Sequence, residues 1–124
     1  MVSLARVAAS ALVVGLCFGA APQAFAHAHL KSVQPAVDGT VAVAPPELVM
    51  SFTEALEPKF SKIEVVDAAG KRVDKADLHL GKDNAKQLAV GLTALAAVRY
   101  TVIWHAVSVD THTTDGKFDF QVKP

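Results

Sequence analysis

The chain has 124 residues, equal numbers of acidic and basic side chains, and a hydrophobic fraction of 52%. A balanced charge leaves no basic footprint for nucleic acid, and the length suits one domain rather than two. The apolar excess is concentrated at the start: Met1 to Ala26 holds 19 hydrophobic residues and a single charge, Arg6. The other 98 residues carry 11 Lys or Arg against 12 Asp or Glu, the balance of an ordinary soluble domain.

Residues 1–26 have the anatomy of a cleaved signal peptide. A basic residue precedes an apolar core from Val7 to Ala20, and Ala24-Phe25-Ala26 is an A-x-A cleavage pattern, which predicts a cut between Ala26 and His27. An uncleaved anchor wants about 20 consecutive apolar residues, and Pro22 and Gln23 end the run early. Leu16 before Cys17 is too large for lipoprotein processing. The remaining domain, 27–124, has no cysteine and one methionine, Met50, so disulfide stapling and soft sulfur ligation fall away. His27, His29, His79, His105 and His112 all remain.

Within that domain the periodicity is two. Short strands are predicted at Leu30 to Val33 and Thr40 to Val43, and then at Leu48, Met50 and Phe52, which alternate with Glu47, Val49 and Ser51. Thr53 to Ser61 has room for a short helical turn. Ile63 to Val66, Arg72 to Val73 and Gln87 to Val90 follow as weaker strands. Two strong ones close the chain: Tyr100, Val102, Trp104 and Ala106 alternate with Thr101, Ile103, His105 and Val107, and Phe118, Phe120 and Val122 alternate with Lys117, Asp119 and Gln121. Turn chemistry stands at Asp38-Gly39, Pro45-Pro46, Ala69-Gly70, Gly81-Lys82-Asp83-Asn84 and Asp115-Gly116. About seven short strands in about 100 residues predict an all-β Greek-key sandwich or barrel, with Tyr100 placed as the tyrosine of a sandwich corner.

Removal of Ala26 would give His27 a free α-amine beside its imidazole, and those two nitrogens chelate one metal ion without help from the fold. Their reference pKa values, about 7.7 to 8.0 and about 6.5, let a divalent metal compete with protons near neutral pH. Copper(II) is the strongest such competitor and favours tetragonal nitrogen and oxygen donors. Asp110-Thr111-His112 offers two more ligands, since residues two apart on an extended segment project from one face. On the same parity argument His105 falls on the opposite face, outside this cluster.

These residues resemble the CopC family, periplasmic copper-binding proteins of copper resistance and homeostasis. The resemblance runs through His27-Ala28-His29-Leu30 with Ser32 and Pro35, Phe52-Thr53-Glu54, Phe60-Ser61 and Asp67-Ala68-Ala69-Gly70-Lys71. Its most specific block is Tyr100-Thr101-Val102-x-Trp104-x-x-Val107-Ser108-x-Asp110-x-His112 with Gly116-x-Phe118-x-Phe120-x-Val122. It implies an immunoglobulin-like or cupredoxin-like β-sandwich, and one copper(II) ion per chain held by the amine and imidazole of His27, by Asp110 and by His112. Glu54 is implied as an accessory neighbour of the copper. The resemblance further implies a periplasmic carrier, expected to be monomeric, that works with an inner-membrane partner of the CopD type. Some members bind copper(I) through a methionine-rich loop; the corresponding stretch here, about Lys71 to Lys86, has no methionine, so the copper(II)-only type is expected.

Three other readings compete. His29, third in the processed chain, would chelate copper(II) through the amine, two backbone amides and its own imidazole if the tail were unpaired. A copper histidine-brace oxidative enzyme also uses an amino-terminal histidine, but needs an open coordination position and a flat face with exposed aromatics, so no enzymatic activity is expected. A purely structural immunoglobulin-like domain would leave the histidines incidental; His79 and His105 are read that way, as surface or partly buried polar residues.

Overall fold

The computed structural model describes residues 29–124. The expected signal peptide and His27 lie outside the described residues. Eight strands follow in chain order: β1 (Leu30–Gln34), β2 (Thr40–Val41), β3 (Glu47–Phe52), β4 (Lys62–Val66), β5 (His79–Gly81), β6 (Asn84–Gly91), β7 (Arg99–Val107) and β8 (Thr113–Val122). They form two four-stranded sheets, ordered β1-β3-β6-β5 and β2-β8-β7-β4, and all pairs are antiparallel except β2 with β8. The chain crosses between the sheets after β1, β2, β3, β4 and β6, so neither sheet is a simple meander. The all-β sandwich expected from the alternation is what forms.

Period two explains the core. The inward positions of β3 (Leu48, Met50, Phe52), β6 (Leu88, Val90), β7 (Val102, Trp104, Ala106) and β8 (Phe118, Phe120, Val122) are buried between the sheets, each large side chain contributing on the order of 1.5–3 kcal/mol. Phe52 of one sheet meets Trp104 of the other edge-to-face at 5.5 Å, and Tyr100 stacks on its cross-strand partner Phe120. The Tyr100 hydroxyl donates to the Ala96 carbonyl at 2.7 Å, closing the expected tyrosine corner.

Four local expectations change. Asp115-Gly116 is not a turn but lies inside β8, where Gly116 faces Trp104; a Cβ there would stand 2.5 Å from the indole. The glycine marks a close approach rather than a bend. Arg72 makes only an isolated bridge to Val66, because the chain then turns to bury Asp74. His79–Gly81 is a strand instead of loop, paired to β6 through the Lys82-Asp83 turn, with Asp83 at φ 54°. The helical turn within Thr53 to Ser61 reduces to one pair of i+3 bonds, Phe60 N–H to Glu57 and Ser61 N–H to Pro58.

Candidate metal centre

Two connections meet at one end of the sandwich. The β7–β8 loop is closed by Ser108 and His112: Ser108 N–H donates to the His112 carbonyl at 2.9 Å, and Thr111 N–H donates to the Ser108 carbonyl at 2.9 Å. Three residues, Val109, Asp110 and Thr111, make the turn, and Thr111 takes φ 72°. A tight turn followed by a left-handed residue is a common three-residue hairpin connection, usually with glycine at that place. A β-branched side chain there is an outlier.

The β3–β4 connection is laced to this loop. Val109 N–H donates to Ala55, Glu57 N–H donates to Val107, and Leu56 bridges Ser108. Leu56, buried among the core residues, anchors the segment. The lacing brings Glu54 over the loop. Ligand atoms of Glu54, Asp110 and His112 all lie within 4.8 Å of one another, a cluster able to hold a metal ion. His112 Nδ1 is 3.2 Å from Asp110 Oδ2. Glu54 Oε2 is buried and has no hydrogen-bond partner among the described residues, an acceptor left for a cation or a donor.

Asp110 and His112 therefore do come together, by a route other than the extended parity that suggested it: the loop's turn, not a strand face, converges them. The Ser108 hydroxyl, donating to Asp110 Oδ1, holds the Asp110 carboxyl below its ordinary value; partial desolvation opposes it, and the neighbouring His112 adds to the lowering. An anionic carboxylate beside an imidazole and a second carboxylate is a hard nitrogen and oxygen donor set, suited to copper(II) or zinc(II) rather than to soft ions.

The remaining expected residues are placed as follows. His29 lies just before β1, its N–H donating to Thr53 Oγ1 at 2.9 Å and its carbonyl accepting from Thr53 N–H at 2.9 Å. That pairing docks the start of the described chain one residue from Glu54. His105 lies on the outer face of the β7–β8 ladder, 2.5 Å from Asp115, and His79 donates to the Asp77 carbonyl at 2.7 Å on β5. Neither belongs to the cluster. Ser108, quoted within the family block but given no role there, is buried beneath the loop and touches both Asp110 and His112.

Comparisons with known proteins agree with this architecture. Residues 30–123 match the CopC domain. The chain is 35% identical to Protein YobA of Escherichia coli K12, covering 99% of this chain and all of that one. It is 35% identical to Copper resistance protein C of Escherichia coli, covering 90% of this chain and 94% of that one. The crystal structure of CopC from Methylosinus trichosporium OB3b superposes with a TM-score of 0.73 at 30% identity, over 79% of this chain and 95% of that one. Matches of this extent, in sequence and in fold alike, mean that the chain belongs to the CopC family of copper-binding proteins.

Proposed function

We propose that the protein is a periplasmic copper(II) carrier that takes one ion at the end of the sandwich, through the α-amine and imidazole of His27 with Asp110 and His112, and passes it on. The observation that carries this reading is the convergence of Asp110, His112 and Glu54 within 4.8 Å. His29 is docked on Thr53, the residue before Glu54, and His27 is two residues earlier in the chain, a span of at most about 7 Å, which supports a role for it at that cluster. Cleavage after Ala26 would supply the amine, and Glu54 would accept from it or weakly approach the ion.

The described residues also argue for the oxidation state and for carriage over catalysis. Their one sulfur, Met50, is fully buried in the core. Reduction to copper(I), which prefers sulfur donors, should therefore loosen the site and offers a route of release. Two carboxylates at the cluster crowd the position an oxidative enzyme would keep open, and Trp104 and Tyr100 are buried rather than displayed for a glycan. The receiving partner of the CopD type follows from the family resemblance.

The rival tail site at His29 requires a deprotonated His29 amide, and that N–H is engaged by Thr53. The spin-resonance spectrum of the copper(II) complex should be the same in parent and His29→Ala protein. Altered hyperfine splitting in His29→Ala would transfer the site to the tail.

A further inference from the structure

Ser108 is only 1% exposed, yet its side chain is polar and sits under the loop that carries two members of the cluster. Its hydroxyl donates to Asp110 Oδ1 and accepts the His112 N–H at 3.2 Å. The same oxygen lies 3.3 Å from the His112 carbonyl, which already receives the Ser108 N–H. A hydroxyl has one proton to give, and the shorter contact assigns it to Asp110. The proton and one lone pair of one buried hydroxyl are thus spent on Asp110 and His112.

The consequence is geometric. With Oδ1 engaged by Ser108, Asp110 turns its other oxygen, Oδ2, toward His112 Nδ1 at 3.2 Å. Asp110 is otherwise exposed and is the middle residue of the three-residue turn, a place where a carboxylate would rotate freely. We infer that Ser108 is a positioning residue for the metal: it presents Asp110 as a one-oxygen donor through Oδ2 and fixes the distance between the Asp110 and His112 donors. This rests on the reading of Asp110 and His112 as ligands. Partners of this kind that orient a ligand are typically worth 10–100-fold in metal affinity.

The test is a double-mutant cycle in the exported, processed protein, with copper(II) as the probe and a competing chelator as the readout. Ser108→Ala is expected to lower copper(II) affinity about 10–100-fold and to change the copper hyperfine splitting as the freed carboxylate reorients. Asp110→Ala lowers affinity on its own. In the Asp110→Ala background, adding Ser108→Ala should change affinity by no more than about twofold, since the partner it positions is gone. Ser108→Thr, which keeps the hydroxyl, should recover most of the loss. All variants are compared well below their copper-free melting temperatures, so that a folding defect does not pass for a binding one. Three results overturn the inference while leaving the ligand reading intact: Ser108→Ala binding like the parent, a full Ser108→Ala loss persisting in the Asp110→Ala background, or Ser108→Thr as weak as Ser108→Ala with its melting temperature unchanged. Asp110→Ala binding like the parent would instead sink the ligand reading itself.

Discussion

His112→Ala is expected to lower copper(II) affinity by more than about 100-fold, above the range typical of residues that merely orient a ligand, while leaving the fold in place. The side chain is 39% exposed and outside the core. The backbone groups that close the loop, the His112 N–H and carbonyl, survive the substitution. Surface changes of this sort usually alter stability by no more than about 0.5 kcal/mol, so the copper-free melting temperature should move little. His79→Ala and His105→Ala are the matched controls. Each removes an imidazole from the same domain, and neither residue belongs to the Glu54, Asp110 and His112 cluster. Chelator competition should find both within about twofold of the parent, the scatter expected for independent sites. Equal losses from all three would mean that copper is held by scattered surface imidazoles.

The largest expected effect on stability comes from a residue with no part in the metal site. Asp74 has a side chain with no exposed surface. It accepts Val65 N–H at 2.9 Å, Ala76 N–H at 2.9 Å, and Arg72 through Nε at 3.1 Å and Nη2 at 2.7 Å. Asp74→Ala leaves two backbone donors, the Val65 and Ala76 N–H groups, without their acceptor, and leaves the half-exposed Arg72 guanidinium with only Glu64, 3.9 Å away. Each buried donor left unsatisfied costs about 1–3 kcal/mol, and losing two of them in a domain of this size lowers the melting temperature by on the order of 10–20 °C.

The pH dependence follows from the same contacts. Burial is the largest single influence on Asp74 and acts upward, but the Arg72 bonds and the Val65 and Ala76 amides together outweigh it and leave the carboxyl below 3.8. A carboxyl depressed by folding contributes stability that is fully present above its unfolded value and is lost as pH falls through the folded one. The parent should therefore lose stability as pH falls below about 4, and Asp74→Ala should lack that share of the loss. Thermal melts at neutral and acid pH measure both. A melting temperature unchanged at neutral pH would show that the network contributes nothing net.

The alternation of apolar residues places β3, β7 and β8 and the faces they bury directly from sequence, because a half-exposed strand must repeat every two residues. Elsewhere the sequence is ambiguous for identifiable reasons. Gly116 carries the composition of a turn, but what it accommodates is the Trp104 indole on the neighbouring strand, a contact between residues 12 apart. His79–Gly81 is too short and polar to show a period, and becomes a strand only through its pairing with β6. At the site, Asp110 and His112 are neighbours in sequence and so could be paired by reading alone. Their geometry depends on Thr111 at φ 72° and on the buried Ser108 hydroxyl, which no spacing rule reveals. Glu54 arrives from 56 residues upstream of Asp110, carried by the lacing of Ala55 and Glu57 to the β7–β8 loop. Only the family resemblance pointed to it in advance.

The central claim is that processing creates the site by freeing the amine of His27. It is tested most directly by comparing copper(II) affinity in the protein that begins at His27 with that in protein carrying one extra glycine before it. The extension keeps His27, Asp110, His112 and Glu54 and removes only the α-amine of His27 from its place beside the imidazole. Chelator competition should show a loss of at least about 100-fold, as for deletion of a ligand. Equal affinities in the two forms would contradict the account.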